Sequence, residues 1–178
     1  MGLAKLLEQH EDAIVKEWFE VATKSYAPDT SQFLKNQKDA FANPVGNTLM
    51  QGLRALYAQL ANAVDPKTLK LILDPIVRVR AVQAFEPSQA LSFIFHLKHI
   101  FRGHLKSKRV KAQAPDAIQQ LDVKLDQIGL LAFDIYMECR EKVYQIKANE
   151  TKDRTLRAFA RAGLITETDE KGLDPNMH

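Results

Sequence analysis

Two histidines three positions apart, His96 and His99, sit in the most apolar stretch of the chain. Between Ala90 and Ile100 only Ser92, His96, Lys98 and His99 are polar. A helical histidine in an apolar pocket is how globins hold haem iron, so either residue is a candidate cofactor ligand. As a zinc pair they supply two ligands with no third marked nearby, and no metal site is expected. The commoner role of a helical histidine is a hydrogen-bonded residue in the core or at its rim, and on balance no cofactor is expected.

Arg78 and Arg80 precede a Phe85-Glu86-Pro87 corner. A planar guanidinium suits an anion or partner contact. The structural alternative is pairing with Asp74, Glu86, Asp134 or Glu138. Phe85, Phe93, Phe95, Phe101, Phe133 and Tyr136 could line a pocket for a small apolar ligand, although at helical spacing such a set more often forms plain core. Cys139 senses redox only if its thiolate is stabilised and accessible, and otherwise packs as a small apolar residue. Arg140, Lys142 and Lys147 read as a solvated helix face. The chain has no Gly-rich phosphate loop, no Cys-x-x-Cys, no His-Glu-x-x-His and no nucleophile elbow, so no enzyme is expected.

A chain of 178 residues suits one domain with a real core. The net charge of +3, with acids and bases interleaved, gives no electrostatic case for nucleic acid. One cysteine permits no intrachain disulfide. The first ten residues lack the continuous apolar core of a secretory signal, and the apolar runs are too short for a membrane helix. A soluble, cytoplasmic protein without membrane insertion is expected.

The elements that position these residues are helices. Leu3, Leu6, Leu7, His10, Ile14, Trp18 and Val21 fall on one face of a helix over residues 3 to about 22, and Asp29 or Thr30 can cap a short second one. Asn43-Pro44 carries an N-cap and a first-position proline, opening a helix to about residue 63. Its inner stripe is Val45, Leu49, Leu53, Leu56, Leu60 and Val64, and Gly46 and Gly52 within it imply close approach of a neighbouring backbone. Asp65-Pro66, Asp74-Pro75 and Glu86-Pro87 repeat the capping pattern, predicting three short, sharply turning helices, the last reaching Leu105. That last helix, apolar nearly all round, is expected to be enclosed by others.

Residues 106–114 read as a basic loop. Pro115 then starts the longest helix, in which Ile118, Leu121, Leu125, Ile128, Ala132, Ile135 and Cys139 alternate at three and four steps. This heptad-like seam is the expected dimer seam, carried by Ile118, Leu121, Leu125, Ile128 and Ile135. Leu130, Leu131, Phe133, Tyr136 and Met137 give the helix a second apolar face, one for the core and one for a second subunit. Helical character extends toward Gly163, and the acidic segment from Thr166 has little to bury and reads as a flexible or partner-docking tail.

Three stretches resemble a known family: Phe41 to Gly46 (FANPVG), Ile76 to Ala90 (IVRVRAVQAFEPSQA) and Phe133 to Tyr144 (FDIYMECREKVY). They are similar to the RsbRD N-terminal domain, the sensor of RsbR-type stressosome co-antagonists, over roughly residues 10 to 150. The resemblance implies a haem-free, globin-like, usually dimeric sensor followed by a STAS output domain. Only 28 residues follow Glu150, too few for that domain, so this sensor has to act through a partner, its own dimer or its tail. The expectation is an all-α, globin-like bundle of crossing helices with a long C-terminal helix. Residues 1–150 form the sensor and 151–178 a helical extension with its tail. It is read as a non-enzymatic homodimer relaying a signal to a protein partner; the alternative is a haem- or small-ligand sensor using His96 or His99.

Overall fold

The structure is a computed structural model, and it describes residues 3–37, 39–62, 65–83, 85–105 and 115–164. The expected basic loop at 106–114, the tail from Thr166 and Val64 lie outside the described residues. Among those described there are seven helices and no strand, an all-α fold of crossing helices ending in a long one. They are α1 (Leu3–Glu8), α2 (Glu11–Thr23), α3 (Pro28–Asn36), α4 (Pro44–Leu60), α5 (Pro66–Val82), α6 (Pro87–His104) and α7 (Pro115–Arg161). The chain divides into two compact units, Met1–Cys139 and Arg140–His178.

In the first unit α2 packs on both α4 and α6, while α4 pairs with α5. Trp18 of α2 lies at the centre, fully buried, and its indole N–H donates to the Phe93 carbonyl of α6 at 2.7 Å. The polar tip of the largest apolar side chain is thereby satisfied inside the core.

The capping pattern is realised with two changes. The side chain of Asn43 accepts from the Gly46 N–H at 2.9 Å, starting α4 behind Pro44. Its amide also donates to the Leu34 and Gln37 carbonyls at 3.0 and 2.9 Å, closing the end of α3. One buried side chain thus serves two helix termini whose backbone groups have no helical partner. Asn43→Ala is expected to cost about 2–3 kcal/mol, above the usual cap loss of about 1, because two carbonyls lose a donor as well. Urea unfolding followed by circular dichroism would measure it.

Gly46 and Gly52 are explained by side chains rather than a neighbouring backbone. A Cβ at Gly46 would fall inside 3.0 Å of the Asn43 amide, and one at Gly52 inside 3.0 Å of the Ile76 side chain. The second change is at Asp74-Pro75, which does not start a new helix: α5 runs through Pro75 as one element. The proline removes the bond to the carbonyl of Leu71, four residues back. Leu71 is exposed, so water can satisfy that carbonyl, and Asp74 turns to Arg78 instead of capping. The N-terminal helix is also two, α1 and α2, parting at Gln9-His10, and α3 starts at Pro28 rather than at an Asp29 or Thr30 cap.

Tyr57 of α4 donates its hydroxyl to the Leu7 carbonyl at 2.9 Å, and burial pushes its pKa well above the ordinary tyrosine value. The folded state therefore holds this proton more tightly than the unfolded chain. The resulting stability is complete below about pH 10 and is lost as pH rises beyond it. Tyr57→Phe should flatten the alkaline fall in stability relative to the parent chain while costing about 1 kcal/mol near neutrality. Thermal melts at neutral and alkaline pH would show both effects.

In the second unit α7 continues from Arg140 to Arg161 and ends in a turn with Gly163 at φ 69°. The Leu164 N–H reaches the Phe159 carbonyl at 3.0 Å and the Gly163 N–H reaches that of Ala160 at 3.1 Å. That pair of bonds is the Schellman stop, which uses glycine's access to positive φ.

Candidate functional site: an open groove between α6 and α7

The helix expected to be enclosed is not covered all round. Leu91, Phe93, Ile94, Leu97, Ile100 and Phe101 are buried, but Phe95, His96 and His99 are exposed and Ser92 is half-buried. Ser88, Ser92, His96 and His99 recur at four, four and three steps, so the polar residues define one uncovered stripe of α6. That stripe forms one wall of a groove of about 790 Å³, and Asp126, Gly129, Leu130 and Phe133 of α7 form the other.

Gly129 explains how the walls meet. A Cβ there would fall inside 3.0 Å of the Phe95 ring, so only glycine lets that ring lie against α7. Beside it Lys98 pairs with Asp126 at 2.5 Å and Arg102 with Asp122, fastening the last turns of α6 to the first half of α7. Lys70 of α5 reaches Glu138 of α7 at 3.1 Å. The groove is apolar and open, with Phe95 42%, Phe133 45% and Leu130 70% exposed.

His96 and His99 share one wall of this groove. The Nδ1 of His96 lies 2.8 Å from the Ser92 carbonyl, which leaves Nε2 facing outward. Both rings are exposed, so among the described residues neither has the closed apolar surround that a haem axial ligand requires. Among the described residues no three His, Cys, Asp or Glu side chains are grouped to hold a metal ion. His104, near the end of α6, pairs with Glu17 at 2.9 Å and lies against His10.

The two arginines part company. Arg78 forks onto Asp74, with contacts of 2.7 and 3.0 Å, on the exposed side of α5. Arg80 is only 1% exposed and lies in the core, so the expectation of an anion or partner contact is corrected: nothing outside the chain can reach it. Its guanidinium donates to the Ala90, Gln89 and Ala22 carbonyls at 2.8, 3.0 and 3.2 Å and to the Ser25 hydroxyl at 2.6 Å. The rings of Tyr26, Phe85 and Phe93 lie within 5.4 Å. Burial holds its pKa below the ordinary arginine value, opposed by Tyr26. No acid was needed, because carbonyls at the negative end of α2 and in the first turn of α6 supply the acceptors.

The residues of the expected dimer seam face inward. Leu121, Leu125, Ile128 and Ile135 are buried in the chain's own core, and Ile118 packs against it half-buried. Of the second apolar face read from the sequence, Leu130, Phe133 and Met137 are exposed together with Val123, whereas Leu131 is half-buried and Tyr136 buried. Phe93 and Phe101 are core, whereas Phe95 and Phe133 line the groove; Tyr136 donates to the Phe85 carbonyl, and Cys139 is buried.

Comparison with known proteins gives one positive result. Residues 12–151 match the model of a family described as the RsbT co-antagonist protein rsbRD N-terminal domain. No curated protein and no solved structure matches. No helix among the described residues is long and apolar enough to cross a membrane.

Proposed function

Since the chain belongs to the RsbT co-antagonist protein RsbRD N-terminal domain family, we propose that it is a non-enzymatic sensor of a stressosome-type signalling system. In this reading it is a cytoplasmic, haem-free, globin-like homodimer, with residues 1–150 as the sensor and 151–178 as its extension. The observation that carries the reading is the apolar lining of the α6–α7 groove, with Phe95, Leu130 and Phe133 exposed on two helices joined by the Lys98–Asp126 and Arg102–Asp122 pairs. Exposed apolar patches of this kind mark places where another surface docks. A second copy meeting the same face across a two-fold axis would cover both grooves at once.

The groove's polar groups, His96, His99 and Asp126, would then lie at the interface, where a bound molecule shifts the fit between subunits. The signal passes to a protein partner along α7, with the segment after Glu150 as the output. Size in solution tests the proposal. Light scattering at micromolar concentration should give twice the 20.2 kDa chain mass; a strict monomer would end the dimer reading.

A further inference from the structure

The part of α7 from Arg140 to Arg161 carries seven basic residues against three acids. Four of the seven, Arg140, Lys147, Arg154 and Arg161, recur at intervals of seven, and Arg157 falls between the last two at three and four steps. Residues so spaced share one helix face. The stripe has one acid among it, Glu150. Arg140 stacks on Tyr144 with its guanidinium carbon 4.9 Å from the ring centre. Lys147, Arg154, Arg157 and Arg161 are exposed and, among the described residues, make no ion pair.

The stripe ends at the Schellman stop of Gly163, whose hydrogen bonds fold Leu164 back onto the last turn of the helix. Directly beyond it residues 165–178 carry four acids, Glu167, Asp169, Glu170 and Asp174, against a single lysine, Lys171. We propose that this stripe is a binding surface for an acidic peptide, and that residues 165–178 of the same chain are its occupant. The charges are complementary. The reach suffices too: the ten residues from Leu164 to Asp174 span at most about 33 Å. Lys147, fourteen residues back from Arg161, is only about 21 Å away along the helix.

A membrane surface fits less well, because the positions beside the stripe, Val143, Tyr144, Thr151 and Ala158, offer one aliphatic side chain larger than alanine. The consequence for signalling is competition, since an acidic partner segment would have to displace the chain's own. The inference does not depend on the dimer or on the groove.

Zero-length carbodiimide coupling of the full chain tests it, since amide bonds form only between carboxylates and amines already in contact. The expected products join Glu170 or Asp174 to Lys147 within one chain. Replacing Arg154, Arg157 and Arg161 together by glutamine should cut their yield roughly fivefold, as should about 0.5 M salt, which screens exposed charges. Glutamine keeps helix propensity, so circular dichroism should not change. A yield indifferent to the arginines would overturn the proposal, leaving only the proximity of a tethered segment. Products that mix isotope labels, in an equal mixture of light and heavy chains, would assign the occupant to a second copy and overturn the assignment within one chain.

Discussion

Arg80→Ala is expected to destabilise the first unit by about 4 kcal/mol, lowering Tm by about 8–16 °C. Two losses combine. Truncation opens a cavity among Tyr26, Phe85 and Phe93, and charge-assisted bonds to Ala22, Gln89, Ala90 and Ser25 disappear, each worth about 1.5–3 kcal/mol before desolvation is subtracted. Because these bonds join α2, α5 and α6, the loss is felt by three helices at once. Arg80→Met separates the two terms. It keeps most of the volume and removes the desolvation penalty of a buried charge, so it should cost less than about 2 kcal/mol. Arg80→Lys retains the charge but cannot reach all four acceptors, and it should fall between the two. Urea unfolding of the three variants gives the order directly. Equal losses for alanine and methionine would show that the bonds, not the packing, dominate; an alanine loss below about 1 kcal/mol would remove Arg80 from the centre of the fold.

What the sequence could convey about this arrangement follows from where each signal acts. Asn43-Pro44 was readable because capping is local: acceptor and donor are three residues apart. Asp74-Pro75 carried the same local signature and yet lies inside α5. There the tertiary context decides, with an exposed carbonyl at Leu71 and an acid already engaged by Arg78. Arg80 could not be placed from sequence, because its partners are backbone carbonyls up to 58 positions away and a search for acidic side chains cannot find them. The α6–α7 groove was half legible. The polar stripe of Ser88, Ser92, His96 and His99 announces an uncovered face, but the notch at Gly129 that seats Phe95 depends on two helices meeting. The long helix did display two apolar stripes. Which of them faces the core is a question of register that the pattern alone leaves undetermined, since both repeat at three and four steps.

That register is what the second large effect turns on. Leu130→Asp and Phe133→Asp should each leave the fold intact, because both side chains project from α7 with much of their surface exposed. If a second copy covers this face, each substitution places a carboxylate in an apolar contact, and the two-fold axis repeats it in the other subunit. At about 2 kcal/mol per copy the dimer dissociation constant rises roughly a thousandfold. Light scattering across a dilution series reads that change, and circular dichroism confirms that helix content is unaltered. Leu125→Asp provides the contrast: Leu125 is fully buried within the chain, so an unpaired carboxylate there should unfold the first unit rather than yield a folded monomer. The two stripes of α7 are thus distinguished by the way they fail, one by dissociation and the other by unfolding. A dimer whose affinity is indifferent to both Leu130→Asp and Phe133→Asp would move the interface elsewhere and leave the groove as an open site for a small apolar ligand.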